Sequence, residues 1–241
     1  MAKPALARAP IPRIAALDAL RGIAIVAMIV YHLCFDLRHF GLVGWDFEHD
    51  IRWLSARTAI LSSFLLIAGI SAVLAQRNAV SDARWPRHVA TIGAAALLVT
   101  FGSMLVFPRS FIWFGVLHAI ALSLLISRPL INRPHAAIAI GVAIIVAGGA
   151  LASPHFDHRM LGWLGFMTGK PVTEDYVPLF PWSGVLLLGV AAGHWLIGRD
   201  FAPLAPLSRA PRLLPFLGRH SLIVYLVHQP ILFGLLMLVA R

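Results

Sequence analysis

The sequence predicts an all-α protein, a polytopic transmembrane helical bundle of about seven spans with a cytoplasmic N-terminus. The first observation is composition, because 59% of the 241 residues are hydrophobic and only 12% are charged, about half the charged fraction of a soluble domain. The second is that seven segments approach the roughly 20 apolar residues that a bilayer-crossing helix needs. The third is an unequal distribution of basic residues between alternate connections, which sets the orientation.

The seven predicted spans leave room for little else. They cover roughly residues 14–37, 53–75, 87–107, 111–127, 136–152, 178–197 and 220–240. No connection between them is long enough to form a separate soluble domain. We therefore expect a cytoplasmic tail, 1–13, followed by a single transmembrane domain, 14–241. The stretch 201–217 contains four prolines and cannot form one regular helix, so it is predicted to be a surface segment.

The basic residues orient these spans. The chain has 20 Lys and Arg against 10 Asp and Glu, with a pI of about 11.3, and in a soluble protein such a pI would suggest nucleic acid. With the N-terminus inside, six basic residues lie in the outer connections. Twelve lie in the cytoplasmic connections: Lys3, Arg8, Arg13, Arg77, Arg84, Arg87, Arg128, Arg133, Arg199, Arg209, Arg212 and Arg219. This is the positive-inside pattern of membrane proteins, so no nucleic-acid partner is expected.

The first predicted span carries charges that cannot face lipid. It contains Asp18, Arg21, His32 and Asp36, and a charge near the bilayer centre costs about 2.5–3.5 kcal/mol on insertion scales. Arg21 and His32 are three helical turns plus about 20° apart, so they share a face and are separated by about 16 Å. Asp18 precedes Arg21 by one turn, and Asp36 follows His32 by one turn. The four residues predict a polar stripe that leads into a functional site.

Other spans supply residues that could meet this stripe. His118 and His228 are predicted near the middle of the fourth and seventh spans. Arg57 is predicted about one turn into the second span, close in depth to His32. Tyr225 shares a helical face with His228, and Gln229 follows directly. These residues on the second, fourth and seventh spans are candidates to meet the stripe of the first span at one site.

Several motifs resemble those of membrane acyltransferases. LDALRGIAIVAMIVYH (17–32) is similar to the first helix of the acyltransferase-3 enzymes, in which ten residues separate an Arg from a His. FLLIAGIS (64–71) and LGRHSLIVYLVHQPIL (217–232) resemble two further motifs of that family. DYVPLFPWSGVLLLG (175–189) and IWFGVLHAIALS (112–123) resemble the bacterial branch related to heparan-α-glucosaminide N-acetyltransferase. The resemblance spans most of residues 13–232.

The resemblance implies a multi-pass enzyme of the bacterial inner membrane. Such an enzyme moves an acetyl or other acyl group from cytoplasmic acyl-CoA to an amine or hydroxyl of a glycan or amino-sugar acceptor on the outer side. Acetyl-CoA or another acyl-CoA would be the co-substrate, with no metal expected. His32 matches the essential His of the acyltransferase-3 helix, and Arg21 matches its Arg. Membrane lipid and a second copy of the chain, in a homodimer, are the other expected partners.

The chemistry of acyl transfer suggests a role for each candidate residue. His32 is the expected base or acyl carrier, since a neutral imidazole suits proton transfer at physiological pH. Asp36 is expected to orient its ring. Positive charge near the CoA phosphates is expected from Arg21, which is paired with Asp18, and from the basic inner loops. Contacts to the co-substrate, including donors to the thioester oxyanion, are expected from Arg57, His118, Tyr225, His228 and Gln229.

Two other functions fit intramembrane polar residues. A small-molecule transporter is the first, because charges within spans also mark substrate pathways, although no inverted repeat is visible. A haem-binding redox protein is the second, because His32, His118 and His228 lie on different helices and could ligate iron. Substrate uptake without acyl-CoA consumption would identify a transporter, and a Soret band would identify a haem protein.

Overall fold

The computed structural model describes residues 12–78 and 84–239. These ranges contain no β-strand and form eight α-helices: α1 (Ala15–His39), α2 (Ile51–Arg77), α3 (Arg84–Val106), α4 (Val116–Ser127), α5 (Pro134–Ala150), α6 (Leu179–Gly198), α7 (Leu213–Arg219) and α8 (Ser221–Val239). The predicted all-α class is confirmed. Most of the predicted tail, 1–13, lies outside the described residues, and the division into tail and domain stays a prediction.

A helix is found at each of the seven predicted spans. Five helices are long and apolar enough to cross a membrane, namely α1, α2, α3, α6 and α8. Two shorter apolar segments, Val116–Leu130 and Pro134–Ala150, correspond to the predicted fourth and fifth spans. The chain is therefore a helical membrane protein. The number of spans and the cytoplasmic N-terminus stay predictions.

The fourth helix begins later than the sequence predicts. The predicted start at residue 111 is wrong, because α4 begins at Val116. The preceding residues pair with a distant loop instead, since the Val177 N–H donates to the Phe114 carbonyl at 3.2 Å. The Asp175 carboxylate then accepts the Val116 N–H at 2.9 Å, satisfying one of the free N–H groups at the start of the helix. Hydropathy cannot detect this boundary, because the segment before it is also apolar.

The helices at the centre of the bundle meet through glycine. A Cβ atom added at Gly189 of α6 would overlap the Leu66 carbonyl oxygen of α2, and one added at Gly69 of α2 would overlap the Leu186 carbonyl oxygen. A Cβ atom added at Gly184 of α6 would likewise overlap the Gly141 carbonyl oxygen of α5. Small residues allow membrane helices to approach this closely and gain dispersion contacts. Helix α6 is consequently the centre of the packing, with Leu186, Leu187 and Val190 fully buried.

The Pro-rich segment divides into two helical pieces. A 3₁₀ helix covers Ala202–Arg209, and α7 follows, which confirms that residues 201–217 do not form one regular helix. One face of α7 packs closely against α1, while Leu213 and Phe216 of the same helix are more than half exposed, as expected of a surface segment. A Cβ at Gly218 would overlap the Asp18 carbonyl oxygen, and a Cβ at Gly22 would overlap the Leu214 carbonyl oxygen. The close packing places α7 beside the inner end of the polar stripe.

The outer faces of α3 and α8 are apolar and exposed. Leu98 and Leu105 on α3, and Ile223, Leu235 and Val239 on α8, are each more than half exposed. In a soluble protein such faces would be an aggregation hazard. In a helical membrane protein such faces suit contact with lipid chains, and lipid as a partner of this chain stays a prediction. The polar residues of α8, by contrast, face α1.

Candidate active site

Helices α1 and α8 bring two histidine side chains together. The rings of His32 and His228 lie in an edge-to-face arrangement, with centroids 4.9 Å apart. His228 is buried at 7% exposure, and His32 is partly exposed. The two residues are 196 positions apart, so only tertiary packing places them together. We refer to them below as the histidine pair.

The hydrogen bonds of the pair define the tautomer of each ring. His32 Nδ1 lies 2.9 Å from the Met28 carbonyl oxygen, and His228 Nδ1 lies 2.6 Å from the Tyr225 carbonyl oxygen. A carbonyl oxygen can only accept, so each Nδ1 must carry the hydrogen. In a neutral ring the Nε2 atom then has a free lone pair. Both imidazoles are thereby prepared to accept a proton or attack an electrophile through Nε2.

Asp36 does not have the role that the sequence suggested. We expected it to orient His32, but the ring of His32 is held by the Met28 carbonyl. Asp36 instead accepts a hydrogen bond from Gln229 Nε2 at 2.7 Å. The bond joins α1 to α8 one residue beyond His228. Asp36 and Gln229 therefore connect the two helices that carry the histidine pair.

Three acceptor atoms in this region have no hydrogen-bond partner among the described residues. They are Asp36 Oδ2, Gln229 Oε1 and His228 Nε2, and all three are buried. A buried polar atom without a partner costs about 1–3 kcal/mol. Each of these three atoms can accept a hydrogen bond, and none of them can donate one. The region is thus suited to a ligand that donates several hydrogen bonds.

The bond between Asp36 and Gln229 can be tested by substitution. Gln229→Leu removes the donor and leaves a buried carboxyl without a partner, which should lower stability by about 1–3 kcal/mol and loosen the histidine pair. Asp36→Asn keeps an oxygen that can accept from Gln229 and should melt near the wild-type temperature. Thermal unfolding of both variants in detergent would measure this. Equal melting temperatures for Gln229→Leu and the wild type would contradict the assigned role.

Tyr225 lies beside His228, and Arg57 lies near the Asp175 carboxyl. The ring of Tyr225 is 5.7 Å from that of His228. Burial raises the pKa of the Asp175 carboxyl, while the Val116 N–H and the nearby positive charge of Arg57 oppose that rise. Arg57 itself is exposed in the second turn of α2. A role for Arg57 at the site stays a prediction.

His118 is placed differently from the expectation. It lies in the first turn of α4 rather than in the middle of a span. Its Nδ1 accepts the Gly115 N–H at 3.2 Å, its Nε2 lies 3.3 Å from Thr100 Oγ1, and its ring stacks on Phe114. These contacts cap α4 and join it to α3. These contacts give His118 a structural role, and a contact with the co-substrate stays a prediction.

The inner end of the polar stripe is a cluster of three arginines around one carboxylate. Asp18 accepts from Arg21 Nη1 at 3.1 Å, as its spacing predicts. It also accepts from Arg13 Nε at 2.7 Å and from Arg219 Nε at 3.3 Å. We call Asp18, Arg13, Arg21 and Arg219 the inner arginine cluster. The sequence placed Arg13 and Arg219 in the basic inner loops, but it did not predict that they pair with Asp18.

The geometry of the histidine pair argues against the haem alternative. Two imidazoles that ligate one iron lie on opposite faces of the macrocycle. His32 and His228 are in direct edge-to-face contact, so no porphyrin fits between them. His118, the third proposed ligand, is occupied by its contacts to Gly115 and Thr100.

Comparison with known protein families identifies the chain. Residues 13–230 match the family model described as heparan-α-glucosaminide N-acetyltransferase, catalytic. The match covers most of the 241 residues and includes both the histidine pair and the inner arginine cluster. The chain belongs to this family. The heparan-α-glucosaminide N-acetyltransferase family is one of membrane acetyltransferases, so the chain is a membrane transferase of that type. No curated protein and no solved structure gave a significant match.

Proposed function

We propose that this protein transfers an acetyl group from cytoplasmic acetyl-CoA to the amine of an amino sugar presented on the outer side of a bacterial inner membrane. The observation that carries the proposal is the histidine pair, in which two neutral imidazoles face each other with both Nε2 lone pairs available. A positioned imidazole accelerates proton transfer by about 10²–10⁴-fold. The matched family supplies the reaction type through its description.

The free acceptor atoms favour an amine over a hydroxyl. Asp36 Oδ2, Gln229 Oε1 and His228 Nε2 all require donors. An ammonium group offers three N–H donors and a positive charge, whereas a hydroxyl offers one donor. Binding of an ammonium would therefore satisfy several buried atoms at once. An amino-sugar acceptor also agrees with the glucosaminide in the family's description.

Two imidazoles match the two protons that the reaction releases. An ammonium loses two protons as it becomes an amide. His32 Nε2 accepts the first, and the resulting amine attacks the thioester carbonyl, so that a C–N bond forms and the C–S bond breaks. The thiolate of CoA takes the proton from His32 and leaves as the thiol. His228 Nε2 accepts the second proton and releases it to the outer side, and Tyr225 is the proposed donor to the oxyanion.

A covalent route uses the same residues in a different order. His32 Nε2 first attacks the thioester carbonyl, the C–S bond breaks, and the CoA thiolate leaves as the thiol with the proton that the acylated imidazolium releases from Nδ1. The acetyl group then resides on His32 Nε2 until the acceptor, which has given one proton to His228, attacks it as the amine; the N–C bond to His32 breaks, and the second amine proton returns to His32 and restores the neutral imidazole. Both routes place His32 at the reacting thioester, as a proton carrier in the direct route and bonded to the acetyl carbon in the covalent route. They differ in whether an acetylated protein forms before the acceptor binds.

The donor would enter from the inner end of α1. The inner arginine cluster provides positive charge there, and Arg21 is eleven residues, or about 16 Å, from His32 along the helix axis. The acyl arm of CoA would extend along the polar stripe toward the histidine pair. This direction agrees with the cytoplasmic location of acyl-CoA and with the predicted cytoplasmic N-terminus.

The experiment uses purified protein in detergent, acetyl-CoA and two matched sugars. Glucosamine should increase the release of free thiol and gain one acetyl group on nitrogen, as detected by mass spectrometry. Glucose, which lacks the amine, should do neither. Thiol release with neither sugar, or equally with both, would contradict amine transfer. Uptake of labelled glucosamine into proteoliposomes without loss of acetyl-CoA would identify a transporter instead.

A further inference from the structure

The hydrogen bonds of the inner arginine cluster are unevenly distributed among its three arginines. Arg21 Nη1 donates to Asp18 and, at 3.5 Å, to the Gly218 carbonyl, while Nη2 donates to Ser71 Oγ at 2.8 Å. Its side chain is only 21% exposed. Arg21 therefore anchors α1 to α2 and α7. This differs from our expectation that Arg21 itself would contact the CoA phosphates.

Arg13 and Arg219 each have N–H groups that make no hydrogen bond to a described residue. Their side chains are 61% and 49% exposed, whereas that of Asp18 is 5% exposed. Arg13 uses Nε and Nη2 on Asp18, and Arg219 uses Nε. Among the described residues, Arg13 Nη1 and both Nη groups of Arg219 have no hydrogen-bond acceptor. Asp18 thus accepts hydrogen bonds from one side of each guanidinium group. The remaining N–H groups of Arg13 and Arg219 are available to a ligand.

The cluster also carries excess charge. Three arginines surround one carboxylate, which leaves a local charge of two positive units. Exposed arginine N–H groups in a fixed geometry are the groups that proteins use to bind phosphate. The geometry is fixed here by backbone contact as well, because Gly218 and Gly22 allow α7 to meet α1 directly. A dianionic phosphate would neutralise the excess.

We propose that Arg13 and Arg219 bind the 3′-phosphate of the CoA donor, with Asp18 holding both guanidinium groups and Arg21 anchoring the cluster. The inference rests on the proposed function, in which acetyl-CoA is the donor. Position supports this phosphate in particular. Asp18 and His32 are fourteen residues apart, which is about 21 Å along α1. When the thioester reaches His32, the cluster meets the end of the donor that is farthest from the thioester, where the 3′-phosphate lies.

Acetyl-CoA and acetyl-dephospho-CoA test the proposal, because they differ only in the 3′-phosphate. The KM of the wild type should be about tenfold lower for acetyl-CoA, the effect expected of charge-assisted hydrogen bonds. The double variant Arg13→Gln/Arg219→Gln should raise the KM for acetyl-CoA to that of acetyl-dephospho-CoA, with kcat unchanged. Arg209→Gln is the matched control, since it removes an exposed charge of the same predicted face outside the cluster. It should keep the tenfold preference.

Equilibrium binding separates this inference from the proposed function. Calorimetric titration of the wild type with CoA and with dephospho-CoA, in nanodiscs of neutral lipid, needs no turnover. Preference for CoA without any acetyl transfer would overturn the proposed function and support the site. Transfer from both donors with equal KM would overturn the site and support the function.

A lipid headgroup is the other source of phosphate at this face. If headgroups occupied the cluster, phosphatidylglycerol in the nanodisc would stabilise the wild type but not the double variant. The preference for CoA over dephospho-CoA would also be the same in both proteins. That pair of results would overturn the assignment to the donor.

Discussion

Replacement of His32 by Gln should reduce the kcat for acetyl transfer by at least about 100-fold, the minimum expected for loss of a positioned base. The fold should persist, because the Gln amide can still donate to the Met28 carbonyl that now accepts from His32 Nδ1. What the variant lacks is the Nε2 lone pair. Thiol release from acetyl-CoA with glucosamine, together with the melting temperature, would measure both effects.

His220 provides a closely matched control. Its Nδ1 also lies 2.9 Å from the carbonyl oxygen four residues earlier, that of Phe216, but the residue is exposed and outside the pair. His220→Gln should retain wild-type activity and stability. Wild-type activity in His32→Gln would overturn the mechanism, and loss of activity in both variants would show that the effect is not specific to the pair.

Labelling distinguishes the direct and covalent routes. In the covalent route, acetyl-CoA with a labelled acetyl group and no acceptor should label the wild type and His228→Gln but leave His32→Gln unlabelled. In the direct route none of the three proteins should be labelled. The kcat of the double variant His32→Gln/His228→Gln should be no lower than that of the less active single variant, because the effects of residues that act as a unit do not add.

Gly189→Ala should have the largest effect on stability. The added Cβ would overlap the Leu66 carbonyl oxygen, and a backbone group cannot move aside without shifting α2. Overpacking of this kind costs about 1–3 kcal/mol or more, which corresponds to a fall in melting temperature of about 2–12 °C for a chain of this size. Thermal unfolding in detergent, with recovery of monodisperse protein, would measure it.

Gly93→Ala is the control for this substitution. Gly93 also lies inside an apolar helix, but nothing lies within 4 Å of a Cβ added there. Because Ala has the higher helix propensity, the variant should melt at or above the wild-type temperature. Equal melting temperatures for the two variants would mean that the contact between α2 and α6 can relax, contrary to the packing described.

The pairing of charged residues within one helix was predictable from the sequence. Asp18 and Arg21 are three residues apart and form the hydrogen bond that this spacing predicts, because a helix has 3.6 residues per turn. The same periodicity placed His32 on the face of α1 that meets α8. These are local relations, and any helix that includes the residues produces them.

Pairing between helices was not predictable in the same way. Periodicity suggested that Asp36 would orient the ring of His32 on the same helix. Asp36 instead accepts a hydrogen bond from Gln229, which is 193 positions away. Arg219 likewise joins Asp18 across 201 positions. Such contacts depend on how far each helix is rotated and translated against its neighbour, which no spacing within one helix specifies.

The sequence by itself determined that the chain is an all-α membrane protein and where most helices lie. The physical reason is that apolar segments of this length must satisfy their backbone hydrogen bonds internally, and a helix does so without partners. The tertiary structure alone decided where α4 begins, that His228 faces His32, and that Arg13 and Arg219 are more exposed than Arg21. Each of those outcomes depends on close helix contacts, many of them at glycine, and the atoms that meet there are distant in the chain.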